Sequence, residues 1–339
     1  MAARKRHIGR YILSAALTVL FMYLAFRGVK LSELWKSLAS VSWVWVAVLF
    51  FGGILSHIAR AWRWQYLLYP VKKDVTLRNS FSAVMIGYMV NNVLPRIGEV
   101  VRPYTLGRLE KISRSAAFGT VVIERIVDTI TFMFILLVSM FFYMNSFGDL
   151  FPSFRSLQPY VLAGSVLFLV FAIVVFFKAE FFFSIIKKLS GFFPDKIRGK
   201  ADTVYDTFIS GFAISRYPGK FLAIAVSSLC IWGLYIVLMY LPFFAFPSMV
   251  SMGLDFGTAT LLVVVSGVAY AFPTPSAFGT YHSFTSFALT RLYHIDPVTA
   301  LSYSILTHEV GYILTTGIGL FYFFRDHVRV DEAVEESAG

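Results

Sequence analysis

Between Asn91 and Asp128 the chain reads NNVLPRIGEVVRPYTLGRLEKISRSAAFGTVVIERIVD. It gathers Arg96, Glu99, Arg102, Glu124, Arg125 and Asp128 in a sequence that is only 14% charged. Guanidinium and carboxylate groups at this density suit recognition of a phosphate. Arginine's planar fork makes charge-assisted, bidentate contacts, and nearby acids can hold the arginines when no anion is bound. Glu124 and Asp128 are four residues apart, Arg125 and Asp128 three, so they share one helical face. The plainer account is an ion pair that only joins two helices. Buried pairs are weak stabilisers, because desolvation offsets attraction, and that favours a functional role. In PRIGEVVR, Pro95 and Gly98 permit a chain reversal. Arg96, Glu99 and Arg102, at i, i+3 and i+6, predict a polar stripe on the short helix that follows, unless that stripe is simply a solvated face.

Three further sets of residues bear on the same chemistry. Arg60 and Arg63, in SHIARAWRWQYLLYP, lie one turn apart at the expected end of a helix. They either snorkel to an interface anchored by Trp62, Trp64 and Tyr66 or bind a headgroup. His282 follows a second proline break, PTPSAFGTYH, with Pro275 and Gly279 as its turn residues. His308 and Glu309 sit in the last long apolar segment; a lone histidine there is more often a hydrogen-bonded core residue than a reactive one. No HExxH, Cys/His cluster or DxD-like pair suggests a metal, and no Walker A loop or GxSxG elbow suggests ATP-driven or acyl-hydrolase chemistry. No cofactor is expected.

The elements that must carry these residues are membrane helices. The chain has 339 residues, 58% hydrophobic and 18% aromatic, with mean hydropathy +0.71. Its continuous apolar runs approach the ~20 residues that cross a bilayer and lack the alternation of a β-barrel. Spans are predicted near 11–26, 43–59, 117–142, 160–177, 220–241 and 298–324, the first as an uncleaved helix. Shorter apolar segments at 80–94 and 257–272 each end in a proline break, the pattern of re-entrant hairpins. With the N-terminus inside, 24 of the 30 Lys and Arg fall on the cytoplasmic side, which supports cytoplasmic N- and C-termini. The net charge of +11 is therefore read as loop charge facing anionic lipid, with no nucleic acid implied. Cys230 is the sole cysteine, so no internal disulfide can form.

Residues 43–144 and 220–324 run through the same layout: span, short helix, proline break, short helix, long helix. Aligning Ala117 with Ala300 places Glu124 opposite Thr307 and Arg125 opposite His308. The expected fold is thus an all-α integral membrane domain over 1–330, with about six spans and two opposed hairpins in an inverted-topology repeat. Residues 178–219 read as interfacial amphipathic helices, and 331–339 as a disordered tail.

ARAWRWQYLL, NNVLPRIGEVVRPYTL, AAFGTVVIERIVD and PTPSAFGTYH resemble the membrane domain of the lysylphosphatidylglycerol synthase/flippase family, also called the UPF0104 family. The likeness covers about residues 10–325, most specifically in LPxRxGExxR and ERxxD. It implies an integral protein of the inner (cytoplasmic) membrane that moves lipids, including aminoacylated or isoprenoid-linked ones, between leaflets. It nominates Arg60, Arg63, Asn92, Pro95, Arg96, Gly98, Glu99, Arg102, Glu124, Arg125, Asp128, Pro275 and Gly279. The chain departs from the pattern at Ser276-Ala277 and Tyr281-His282, where many members carry a glycine pair and then an acid. No counterpart of the family's soluble transferase domain is present, so lysyl transfer is not expected.

The expectation is a flippase-like transporter of a phosphate-bearing lipid. Arg60, Arg63, Arg96 and Arg102 would bind phosphate. Glu99, Glu124 and Asp128 would balance them and could carry a coupling proton, and the remaining candidates would line the site. A homo-oligomer is compatible. Two other readings stay open: a membrane enzyme using Glu99, Asp128 or His282 as acid or base, and a non-transporting partner of such an enzyme.

Overall fold

The structure, a computed structural model, describes residues 2–143, 156–178 and 213–329, with isolated positions between 181 and 199. Among them all regular structure is helical. The chain is an all-α integral membrane protein. Three stretches, Trp43–Leu68, Pro159–Phe177 and Pro218–Ala245, are long and apolar enough to cross a membrane; the pair Ile12–Phe26 and Leu31–Ala39, bent by 80°, counts as a fourth only if taken as one broken span. Most of the expected amphipathic segment 178–219, and the tail 331–339, lie outside the described residues.

The first helices are α1 (Ala2–Phe26) and α2 (Leu31–Ala39). A series of four follows: α3 (Trp43–Leu68), α4 (Leu77–Val93), α5 (Gly98–Glu110) and α6 (Arg114–Phe142). After α7 (Gln158–Phe177) a second series runs α8 (Phe221–Tyr240), α9 (Phe256–Ala271), α10 (Thr280–Tyr293) and α11 (Pro297–Arg325). Several helices begin where the sequence supplies a cap. Thr76, Ser113, Asp255 and Asp296 each accept the backbone N–H three residues on, at Asn79, Ala116, Thr258 and Thr299. Helices α5 and α10 both stop at a left-handed residue, Lys111 (φ 54°) and His294 (φ 53°).

The two series make matching contacts. In each, the short helix packs on its hairpin partner, α4 on α5 and α9 on α10, and that partner packs on the long helix. Between series the short helices are exchanged: α4 lies against α11 and α9 against α6, while α3 and α8 pack on each other. Each half has its own apolar core. One is built around Trp64, Leu67, Val84, Leu106 and Ile123, the other around Phe243, Phe246, Leu262, Leu289 and Tyr303. Helix α7 packs on α6 and leaves most of its surface uncovered, with only Ser165 and Phe176 buried among its described side chains. A helix apolar on every side, left uncovered by protein, suits contact with lipid.

Both proline breaks reverse the chain in the same way. The residue after the proline is left-handed in each: Arg96 (φ 70°) after Pro95 and Ser276 (φ 48°) after Pro275. Ala277 (φ 57°) and Gly279 (φ 83°) extend the second break. Gly98 is required by close approach, since a Cβ there would lie 1.9 Å from the Gly87 carbonyl oxygen; its N–H donates to Asn91 Oδ1 at 2.8 Å. The far end of the first hairpin is pinned by Glu110. It accepts from Lys72 Nζ, the Thr76 N–H and hydroxyl, and Asn79 Nδ2. Burial alone would raise the Glu110 pKa, but these donors outweigh it and bring it down to about 2.

Two sequence expectations change. The helix begun at Trp43 continues to Leu68, so Arg60 and Arg63 lie within it, not at its end. Both are buried, not snorkelling, because carboxylates on α6 neutralise them. Helix α5 starts only at Gly98, which leaves Arg96 in the break and off the expected stripe. Helices α6 and α11, 29 residues each, are about 43 Å long. Their charged and polar residues keep them from standing out by apolarity.

Candidate functional site

Helix α6 brings Glu124 and Asp128 to the centre of the first series, where α3 and α5 present arginines. Arg60 Nη1 donates to Glu124 Oε1 at 2.7 Å and to Asp128 Oδ2 at 2.8 Å. Arg63 Nη2 lies 3.1 Å from Glu124 Oε1 and 2.6 Å from Asp128 Oδ1. Arg102, from α5, closes on Glu124 Oε2 at 2.7 Å, with its guanidinium 3.8 Å from the centre of the Trp64 ring. Trp64 is fixed in turn by a 2.9 Å hydrogen bond to Thr120. The second series completes the set from α8: Tyr235 accepts from Arg60 Nη2 at 2.8 Å and Ser228 from Arg63 Nη1 at 3.1 Å.

Arg125 has a different position. Its contacts are longer, 3.6 Å to Glu99, 3.4 Å to Glu124 and 3.6 Å to Asp128, and its side chain is 42% exposed. Arg96 is exposed and has no carboxylate partner among the described residues. Four guanidiniums therefore face three carboxylates, and Arg96 adds a further positive charge. Arg63, Arg102 and Glu124 are an internal brace. Arg96 and Arg125 are the cations that a ligand can reach.

A cavity of about 680 Å³ opens beside this cluster. Arg60, Arg96, Glu99, Arg125 and Asp128 line it from the first series, with Asn92 and Pro95 at the first break. The opposite wall is aromatic and hydroxylic, with Trp232, Tyr270, Tyr281, Thr307 and His308 from the second series. Arg63, Gly98, Arg102, Glu124, Pro275, Gly279, His282 and Glu309 do not line it. A strip of cation facing an aromatic and apolar wall suits an amphiphile whose anionic group enters while its apolar part stays outside.

Asn92 ties the two breaks together. Its Nδ2 donates to Thr315 and Thr316 at 3.0 and 2.9 Å, and its Oδ1 accepts from Ser276 Oγ at 3.0 Å. On the far side of Ser276, the carbonyl meets His308 Nε2 at 2.8 Å. His308 Nδ1 faces Glu309 Oε1 at 3.0 Å. His282 is buried, its Nδ1 accepting from the Gly279 N–H at 3.3 Å. His282, His308 and Glu309 place ligand-type atoms within 4.8 Å of one another. A metal there would need the His282 Nε2 lone pair, but accepting at Nδ1 leaves the neutral ring protonated at Nε2.

Sequence reasoning found Arg60, Arg63, Arg102, Glu124 and Asp128 but missed their partners Tyr235 and Ser228. With Trp232 these fall at i, i+4 and i+7 on α8, a polar edge on an otherwise apolar helix that could have marked them. Tyr88 and His57, whose rings meet at 4.9 Å at the cavity wall, carried no comparable signal.

Known proteins resemble this chain along much of its length. A UPF0104 membrane protein of Methanocaldococcus jannaschii is 25% identical over 317 residues, covering 89% of this chain and 91% of the relative. A second, from Methanothermobacter thermautotrophicus, is 31% identical over 120 residues, 34% of this chain and 33% of its own. No solved structure matches. Residues 11–319, which hold the arginines and carboxylates of the site, match the family described as "Lysylphosphatidylglycerol synthase TM region", and the chain belongs to that family.

Proposed function

We propose that the chain is a flippase-like lipid transporter, moving a phosphate-bearing anionic lipid between the leaflets of the cytoplasmic membrane. The observation that carries this reading is the cavity wall on which Arg96 and Arg125 are accessible while the other arginines are held by acids. A phosphate entering there would meet two forked donors and a surplus of positive charge. Acyl or isoprenoid chains would remain in the bilayer, since the facing wall offers apolar and aromatic surface. Glu99 and Asp128 would exchange their hold on Arg125 for the phosphate, which lowers the cost of leaving a cation unpaired in the membrane.

In this reading α1, α3, α6, α7, α8 and α11 span the membrane. The hairpins α4–α5 and α9–α10 are re-entrant from opposite faces, and both termini are cytoplasmic. The matched contacts of the two series, the left-handed residue after each proline and the balance of basic loops support an inverted repeat. Rocking one series against the other would expose the cavity to each side in turn. An enzymatic role is less well supported, because Glu99 and Asp128 are engaged by guanidiniums and His282 does not line the cavity.

The test is leaflet exchange in sealed vesicles of phosphatidylethanolamine and phosphatidylglycerol carrying a fluorescent phosphatidylglycerol. Protein-dependent exchange is expected, and an Arg96→Ala, Arg125→Ala double variant should abolish it. Lack of exchange across anionic phospholipids and polyprenyl phosphates, or full activity in the double variant, overturns the reading.

A further inference from the structure

The second break holds a hydrogen-bond arrangement that closes only with an added proton. His308 Nε2 is 2.8 Å from the backbone carbonyl of Ser276, and its Nδ1 is 3.0 Å from Glu309 Oε1. A carbonyl and an ionised carboxylate are both acceptors, whereas a neutral imidazole has one N–H. One of the two contacts would then set lone pair against lone pair at hydrogen-bond distance. A proton on His308, or on Glu309, removes the conflict.

His282 cannot resolve it. Its Nδ1 accepts from Gly279 N–H, so its Nε2–H points toward Glu309 Oε1, 3.7 Å away, and adds only a distant donor. The other groups around the trio supply no counter-charge. Tyr281 and Tyr312 place their rings 5.3 and 6.3 Å from the His308 ring, and Tyr270 faces Glu309. Helix α4 contributes the uncharged Asn92. Helix α3 contributes His57, packed on Tyr88, and Arg60, held by Glu124 and Asp128. Helix α1 brings Phe21 and Met22 against α10 and the second break. Helix α2 packs near residues 298–305, with Lys30 and Glu33 paired to each other and Lys36 beyond them. Among the described residues no lysine or arginine lies within ion-pair distance of Glu309.

We propose that His282, His308 and Glu309 form a proton-binding site, and that release of the proton unpins the second break and so links proton movement to cavity opening. This rests on the transport reading above. When the proton leaves, the one N–H of His308 must serve either Ser276 or Glu309. Ser276 and Ala277 are held at φ 48° and 57°, a region that non-glycine residues enter only at a conformational cost. A break kept strained by its contacts moves when one is lost, and Ser276 also bonds to Asn92 at the cavity wall. His308 lines the cavity, whereas Glu309 does not, yet the Glu309 side chain is 32% exposed. A proton can thus reach the pair from the cavity at His308 or at the exposed part of Glu309. In this scheme the acids beside the arginines hold guanidiniums, and the coupling proton is carried by the opposite half.

Two measurements test this separately. The full chain with 15N-histidine and 13C-glutamate, in nanodiscs of phosphatidylethanolamine and phosphatidylglycerol, should show at about pH 7 a proton at the pair: either an imidazolium at His308 or a protonated Glu309 carboxyl. Isolated imidazole is mostly neutral at that pH. Glu309→Gln can donate to Nδ1 with its amide and satisfies the same geometry without a proton, so His308 should become neutral in that variant. A neutral His308 of either tautomer beside an ionised Glu309 in the native chain overturns the site, as does zinc binding by the trio in preference to the proton. In sealed vesicles, an imposed pH gradient should change the exchange rate of fluorescent phosphatidylglycerol several-fold, and Glu309→Gln should lose that response. Exchange that ignores the gradient in the native chain overturns the coupling. Absence of any exchange condemns the transport reading instead, and leaves the spectroscopic result standing.

Discussion

Replacing Glu124 by Gln removes the negative charge shared by three buried guanidiniums. Arg60 and Arg63 keep Asp128, at 2.8 and 2.6 Å. Arg102 does not: its carboxylate partner is Glu124, at 2.7 Å, and otherwise it has the face of Trp64. A cation over an aromatic ring is worth up to about 2 kcal/mol when desolvated, whereas stranding one buried partner of an ion pair costs about 3–5 kcal/mol. The expected loss for Glu124→Gln is therefore near 3 kcal/mol, and most of it should trace to Arg102. Thermal unfolding of the detergent-purified protein reads this as a lowered midpoint. Adding Arg102→Met removes the stranded charge while keeping the contact with Trp64, and should restore part of the loss, with a coupling of 1 kcal/mol or more. If Glu124→Gln unfolds within about 0.5 kcal/mol of the native chain, or the two substitutions simply add, the brace assigned to Glu124 does not exist.

Three other outcomes follow from the geometry. Glu110→Gln should remove an acid-sensitive contribution on the order of 3 kcal/mol. Because the Glu110 pKa is depressed to about 2, that stability is present above the ordinary glutamate range and is lost as pH falls toward 2, so native and variant midpoints should converge at low pH. Gly98→Ala drives a Cβ into the Gly87 carbonyl, which is backbone and cannot swing aside; expression of folded protein, followed by size-exclusion chromatography, should fall sharply, whereas Gly164→Ala on α7, in open space, should behave as native. Asn92→Ala leaves Thr315, Thr316 and Ser276 without a shared partner and should cost about 1–3 kcal/mol while speeding hydrogen exchange at residues 275–279, read by mass spectrometry.

The helical plan was legible because apolar runs and proline breaks are local signals. Helix α4 ends two residues before Pro95, at the break read from the sequence, but it begins at Leu77, ahead of the expected 80, where Thr76 caps it. The brace was half legible. Glu124 and Asp128 stand out as charges in a greasy helix, and their spacing puts them on one face. What spacing along one helix cannot tell is which cations arrive from elsewhere. Arg60 and Arg63 look like a helix end because they are charged, and the acids of α6, about sixty residues on, make their burial tolerable. The split between braced and accessible arginines was likewise invisible, since Arg102 and Arg125 carry the same group and differ only in what surrounds them. The arrangement at His308 was hidden for another reason: its second acceptor is a backbone carbonyl, which no side-chain pattern reports.

The exchange of short helices between the two series bears on how the protein is made. Helix α4 is synthesised early, with Ser82 and Asn92 on it, but their partners are Asp326, Thr315, Thr316 and Ser276. Those residues emerge nearly two hundred or more positions later. Until then α4 has polar groups in or near the bilayer without those partners, whereas α9 finds its exchange partner α6 already in place. The first half is therefore an incomplete object that the second half finishes. Expressed alone, residues 1–144 should be a substrate for membrane quality control, and co-expression with residues 213–339 as a separate chain is the arrangement by which it could be rescued.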